Sequence, residues 1–99
     1  MVVIRKYGEV RPDEYNYHIC RGQKYSVTHT FNNIKFRNKN AVIIFNERSP
    51  NAINAVNRLK ENESTDFMRG SSNECNITIT EEEFKVLLTN VVIHDKANV

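Results

Sequence analysis

Glycine occurs only three times in this 99-residue chain, proline twice, cysteine twice and tryptophan not at all. So few glycines argue against a glycine-lined phosphate cradle, and no Walker loop, GxGxxG fingerprint or nucleophile elbow is present. Cys20 and Cys75 are far apart and form no CxxC pair, which excludes a disulfide-stapled miniprotein and reads as two reduced thiols. No apolar run approaches the ~20 residues of a membrane helix; the longest, Ala41 to Phe45, has the length of a strand. Arg5 and Lys6 come too early for the apolar centre of a secretory leader. The sequons at Asn62 and Asn76 therefore carry no weight, and the expected location is the cytoplasm of a host cell.

Asparagine, by contrast, occurs 14 times and isoleucine with valine 19 times, against four alanines and three leucines. This bias is the usual imprint of an AT-rich genome, many phages and mobile elements included, and its Ile and Val content also favours strands. With 39% hydrophobic and 26% charged residues, the chain reads as one globular domain over 1–99.

The net charge of +2 hides an uneven layout. Residues 1–40 carry eight Lys/Arg against three Asp/Glu, whereas residues 41–99 carry six against nine. Six of the nine aromatic residues also lie in the basic part. Such asymmetry bears on partners more than the total does.

Hydrophobic periodicity predicts strands over most of residues 1–46. Val2 to Tyr7 form the first; Tyr15, Tyr17 and Ile19 alternate with polar neighbours; Tyr25, Val27, His29 and Phe31 form another alternating face, as do Ile34 and Phe36. Ala41 to Phe45, apolar throughout, reads as a central strand. Ser49-Pro50 then predicts a helix start near 50–61, with Ala52, Ala55, Val56 and Leu59 as one apolar stripe. Residues 62–74 read as a polar loop and Cys75 to Ile79 as a strand. Thr80 with Glu83 has the spacing of a capping box for a helix over 81–89. Val91 to His94 reads as a last strand. The expected class is α+β: a mainly antiparallel sheet, begun by an N-terminal strand meander, with two helices packed on one face.

Several constellations bear on chemistry. Strand alternation would put Lys24, Lys35 and Arg37 on one sheet face, with Arg21 and Lys39 in adjoining turns, a basic surface for nucleic acid. The plainer alternative makes the aromatics core and the cations solvated. His18 and His29 would be the acid and base of a metal-independent ribonuclease, but alternation puts them on opposite phases. His18, Cys20, Cys75 and His94 are the conceivable zinc ligands, yet they are scattered, and buried apolar cysteines explain them better. No metal site and no cofactor is expected. Glu81, Glu82 and Glu83 suit a first helical turn. Around the 62–74 loop, Phe67, Met68 and Arg69 have the residue types found at interface centres, and Asn54 and Arg58 on the first helix add an amide face with one cation as part of the same candidate surface.

The sequence thus favours a small non-enzymatic binding protein, of phage or mobile-element type, that docks on and blocks a host protein or ribonucleoprotein. A nucleic-acid-binding regulator comes second and a ribonuclease third. No membrane contact is expected, and a homodimer through a sheet edge is a further possibility.

Overall fold

A computed structural model describes residues 1–7, 15–21, 24–49, 51–69 and 73–97. The elements run β1 (Val2–Lys6), β2 (Tyr17–Cys20), α1 (Lys24–Arg37), β3 (Ala41–Asn46), α2 (Ala52–Glu61), β4 (Thr65–Phe67), β5 (Glu74–Ile77) and α3 (Glu81–Ala97). The strands form one antiparallel sheet in the order β3-β1-β2-β5-β4. The α+β class and the antiparallel sheet stand as expected, with three helices in place of two.

Successive strand residues point to opposite faces, and both faces are covered. Val3, Tyr17, Ile19, Phe45 and Cys75 point to the side where Ala55, Val56 and Leu59 of α2 meet Phe84, Leu88, Val91 and Val92 of α3. The Tyr17 and Phe84 rings meet edge to face with centroids 4.9 Å apart, an arrangement worth about 1 kcal/mol beyond its buried area. Val2, Ile4, Cys20 and Ala41 point the other way, against Val27, Phe31 and Ile34 of α1.

The principal correction is α1. The expected strands at Tyr25 to Phe31 and at Ile34 to Phe36 are a single helix of 14 residues. Val27, Phe31 and Ile34 stand at i, i+4 and i+7, a narrow helical stripe that reaches the sheet. This packing overrides the poor helix propensity of the threonines and asparagines around it. Where α1 ends, the Asn38 N–H donates to the Ile34 carbonyl at 2.7 Å and the Asn38 side-chain oxygen accepts from the Asn40 N–H at 3.1 Å. That side-chain-closed turn leads into β3.

Three further expectations change. β3 is an edge strand, not a central one, with Val42 47% and Ile43 38% exposed. The presumed loop contains β4, paired with β5 from Thr65↔Ile77 to Phe67↔Cys75. Helix α3 passes through Asn90 and takes in the presumed last strand, because Val91 and Val92 continue the stripe of Phe84 and Leu88.

The helix starts were more legible. Thr80 and Glu83 form the expected reciprocal box, with the Glu83 N–H donating to Thr80 Oγ1 at 3.2 Å and the Thr80 N–H donating to Glu83 Oε1 at 3.3 Å. Helix α2 is capped by Asn51, whose side chain accepts from the Asn54 N–H at 3.2 Å, in place of Ser49. Pro50 lies outside the described residues. No helix among the described residues is long and apolar enough to cross a membrane.

Two-sided burial predicts a contrast within α1. Ile34→Ala should lower unfolding free energy by about 2–4 kcal/mol, as large-to-small core changes do. Phe36→Ala, at a position 89% exposed, should change it by less than about 0.5 kcal/mol. Urea titration of both variants checks this; equal losses would mean that α1 does not cover the sheet.

Candidate functional site

Beyond the apolar stripe of α1, the face it covers turns polar. Lys6 of β1 shares the phase of Val2 and Ile4, His18 of β2 shares that of Cys20, and the β2–β5 register sets His18 opposite Glu74. Lys6 Nζ donates to Glu74 Oε1, and His18 Nδ1 lies 3.9 Å from the same oxygen. Lys6 is 4% exposed and is the only buried charged residue among those described. Burial pushes the His18 imidazole below its ordinary value, against the opposing pull of the Glu74 carboxylate.

These side chains floor an open cleft of about 370 Å³. The C-terminal half of α1 makes one wall through Thr30, Ile34 and Arg37, and Asn38 and Met68 complete it. Asn38 Nδ2 is buried without an acceptor while its Oδ1 is held by the Asn40 N–H. Arg37 has no ion pair among the described residues, and its charge depresses His18 further.

The outer face of α1 is the second feature. Between Tyr15 and Asn46 the chain has five Lys/Arg and no Asp or Glu. Thr28, His29, Asn32, Asn33, Lys35 and Phe36 are exposed along the helix, and Lys39 in the turn after it. Lys35 Nζ lies 5.6 Å from the Phe31 ring centroid, and Asn33 Nδ2 lies 3.2 Å from His29 Nε2.

The expected basic sheet face is therefore replaced by a basic helix. Lys35 and Arg37, two residues apart, point about 200° apart around its axis and lie on opposite flanks of the apolar stripe: Lys35 is exposed beside Phe31 and Arg37 borders the cleft. The Lys24 side chain lies outside the described residues, and Arg21 is exposed just before α1. The histidine pair is not assembled as an acid–base couple: His18 is under α1, while His29 is exposed on it. The zinc set is divided by the sheet, with Cys75 in the α2–α3 core and Cys20 in the α1 core. Burial pushes the Cys20 thiol up to about 11 and the Cys75 thiol up to about 12, which makes both poor nucleophiles.

The Phe67, Met68 and Arg69 cluster is dispersed. Phe67 is half-buried against the α2–α3 core with Lys60 Nζ 5.9 Å from its ring centroid, Met68 lines the cleft, and Arg69 is exposed. Asn54 and Arg58 are exposed on α2. A strand's alternation separates Phe67 from Met68, so the two do not form one exposed anchor.

Residues 1–69 match a family described as "Protein of unknown function (DUF3627)". The chain belongs to this family. No curated protein and no solved structure matches it. The family match takes in all of α1 and every cleft residue named above except Glu74.

A cluster that sequence reasoning missed fastens α3 to β1. The Tyr7 hydroxyl donates to Glu81 at 2.8 Å and 2.9 Å to its two oxygens, and Tyr17 lies 3.4 Å from Glu81 Oε1. The Arg5 guanidinium carbon is 5.1 Å from the Tyr7 ring centroid and 4.8 Å from that of Tyr17. The bond to Glu81 pushes the Tyr7 phenol up, and burial does the same for Tyr17 against the pull of Arg5. Both phenols are therefore neutral hydrogen-bond donors at neutral pH. Only the first-turn position of Glu81 was legible beforehand.

The depressed His18 value sets a pH dependence. A histidine whose folded-state value lies below its unfolded value binds a proton more readily after unfolding, so stability falls as pH drops below about 6.5. The urea midpoint should fall between pH 7 and pH 5, and His18→Gln should lose less over that interval. Equal losses in the two proteins would contradict this placement of His18.

Proposed function

We propose that the protein is a non-enzymatic module that binds single-stranded nucleic acid along the outer face of α1. The observation that carries this reading is the acid-free stretch from Tyr15 to Asn46, whose exposed helix face holds Lys35 and a Phe36 that is 89% exposed. An exposed aromatic is normally a cost in water. Beside cations it is what a nucleic-acid groove uses, since any base can stack on a ring while lysines track the backbone. Lys35 precedes Phe36, and Lys39 lies in the turn that follows the helix. The helix is about 21 Å long, enough to follow several nucleotides. Asparagine, threonine and histidine on the same face offer donors and acceptors without opposing charge.

Docking on a host protein is the second reading. Ile53, 59% exposed, lies next to Asn54 and on the same helix as Arg58, which gives α2 an apolar centre with a polar rim. Blocking of a host factor belongs to this reading, as does a phage or mobile-element setting, for which the Asn- and Ile-rich composition is a genome-level association.

The test is binding of a fluorescent oligonucleotide at several salt concentrations. Each phosphate contact contributes to the slope of log affinity against log salt, about −0.7 per contact for a single strand. Replacing Lys35 and Lys39 with Gln should flatten that slope by about 1.4 while folding is retained. Phe36→Ala should weaken binding by about 1–3 kcal/mol. Full affinity in both variants, or no binding at low salt, would overturn the reading.

A further inference from the structure

Helix α3 has more apolar surface than its core uses. Six of the eight residues from Val86 to Ile93 are apolar. Phe84, Leu88, Val91 and Val92 are buried in the α2–α3 core. On the opposite side of the helix, Val86 is 61% and Ile93 58% exposed. Seven residues apart, they lie two turns and about 10 Å apart on one line along the axis, with the exposed Thr89 and Asn90 between them. A surface helix normally has one apolar face; a second needs a second surface to pack on. Beside this line runs a shallow groove of about 370 Å³, lined by Val86, Leu87 and Asn90, by Ile79 before the helix, and by Asn62 and Ser64 of the connection from α2 to β4.

The pattern of α3 matches its own reverse. The apolar line is symmetric, since the midpoint between Val86 and Ile93 falls between Thr89 and Asn90. The charges at the two ends differ. The first turn holds Glu81, Glu82 and Glu83, whereas residues 93–97 contain His94 and Lys96 against one carboxylate, Asp95.

We propose that the outer face of α3 is a self-association surface, on which a second copy of the chain packs its own α3 antiparallel about a two-fold axis at Thr89 and Asn90. Val86 of each copy then faces Ile93 of the other, and the contact occurs twice, as an isologous interface requires. The acidic first turn of each helix lies along the last turn of the other. Parallel packing would bring the two sets of glutamates together. The contact is one helix long, about 25 Å, which puts it at the small end of specific interfaces and makes the dimer weak and reversible. Helices α1 and α3 cover opposite faces of the sheet, so the outer face of α1 stays open in both copies.

The test is sedimentation equilibrium of the full chain from about 10 μM to about 1 mM. The mass should rise from one chain towards two. Val86→Glu and Ile93→Glu, at exposed positions where folding is retained, should each hold it at one chain over that range. Lys35→Gln, on α1, should leave the association unchanged. Because Cys20 and Cys75 are buried, Asn90→Cys should give a disulfide-linked dimer on oxidation by air, and adding Val86→Glu should prevent it. A single-chain mass at the highest concentration, a dimer that survives Val86→Glu, or growth beyond two chains would overturn the proposal. The nucleic-acid reading of α1 stands or falls separately, since neither glutamate change touches that helix.

Discussion

The ion pair between Lys6 and Glu74 is the constraint on which the rest of the arrangement depends. It joins β1 to β5 across the intervening β2, between residues 68 positions apart in the chain. Both partners are largely out of water, with side-chain exposures of 5% and 19%. Desolvating two charges consumes much of their mutual attraction, so such a pair is weak evidence of net stability. Its consequence is positional. Once β5 is tied to β1, the hairpin of β4 and β5 has a fixed place in the sheet, and Glu74 is held opposite His18.

From that fixed edge the two faces acquire different characters. On one, α2 and α3 close a continuous apolar core around Tyr17, Leu59, Phe84 and Leu88. On the other, the described side chains of α1 that reach the sheet are Val27, Phe31 and Ile34, and they cover the β1, β2 and β3 part of it. The remainder of that face stays polar and open. A short apolar stripe on one helix thus accounts both for the cleft beneath α1 and for the unusually polar outer surface of the same helix.

How much of this was legible depended on the range of each interaction. The capping box of Thr80 and Glu83 and the stripe of Ala55, Val56 and Leu59 are local patterns, and both were readable. The identity of α1 was obscured because Val27 and Phe31, four residues apart, fit a strand period of two as well as a helical period of 3.6. Ile34 was the decisive residue: at i+7 from Val27 it breaks the strand alternation and completes the helical stripe. The apolar run from Ala41 to Phe45 suggests a central strand, but β3 ends the strand order beside β1, so Val42 and Ile43 stay exposed at the sheet edge. The candidate site was less accessible still. His18 and the cations were visible as residues, whereas their grouping with Glu74 and Asn38 arises from strand order, which no local pattern encodes. Strand alternation places Phe36 on one face with Ile34, whereas on α1 it is the most exposed large apolar residue described.

The most direct test of the central claim is a double-mutant cycle on the Lys6–Glu74 pair, read as unfolding free energy. Lys6→Met leaves a carboxylate in the sheet without its partner, and Glu74→Gln leaves a buried ammonium; each should cost about 3 kcal/mol. The double variant should be more stable than the sum of the two losses implies, by at least about 1 kcal/mol, because neither charge is then stranded. Strictly additive losses would mean that the two side chains do not depend on one another, and the positional role given to the pair would be wrong.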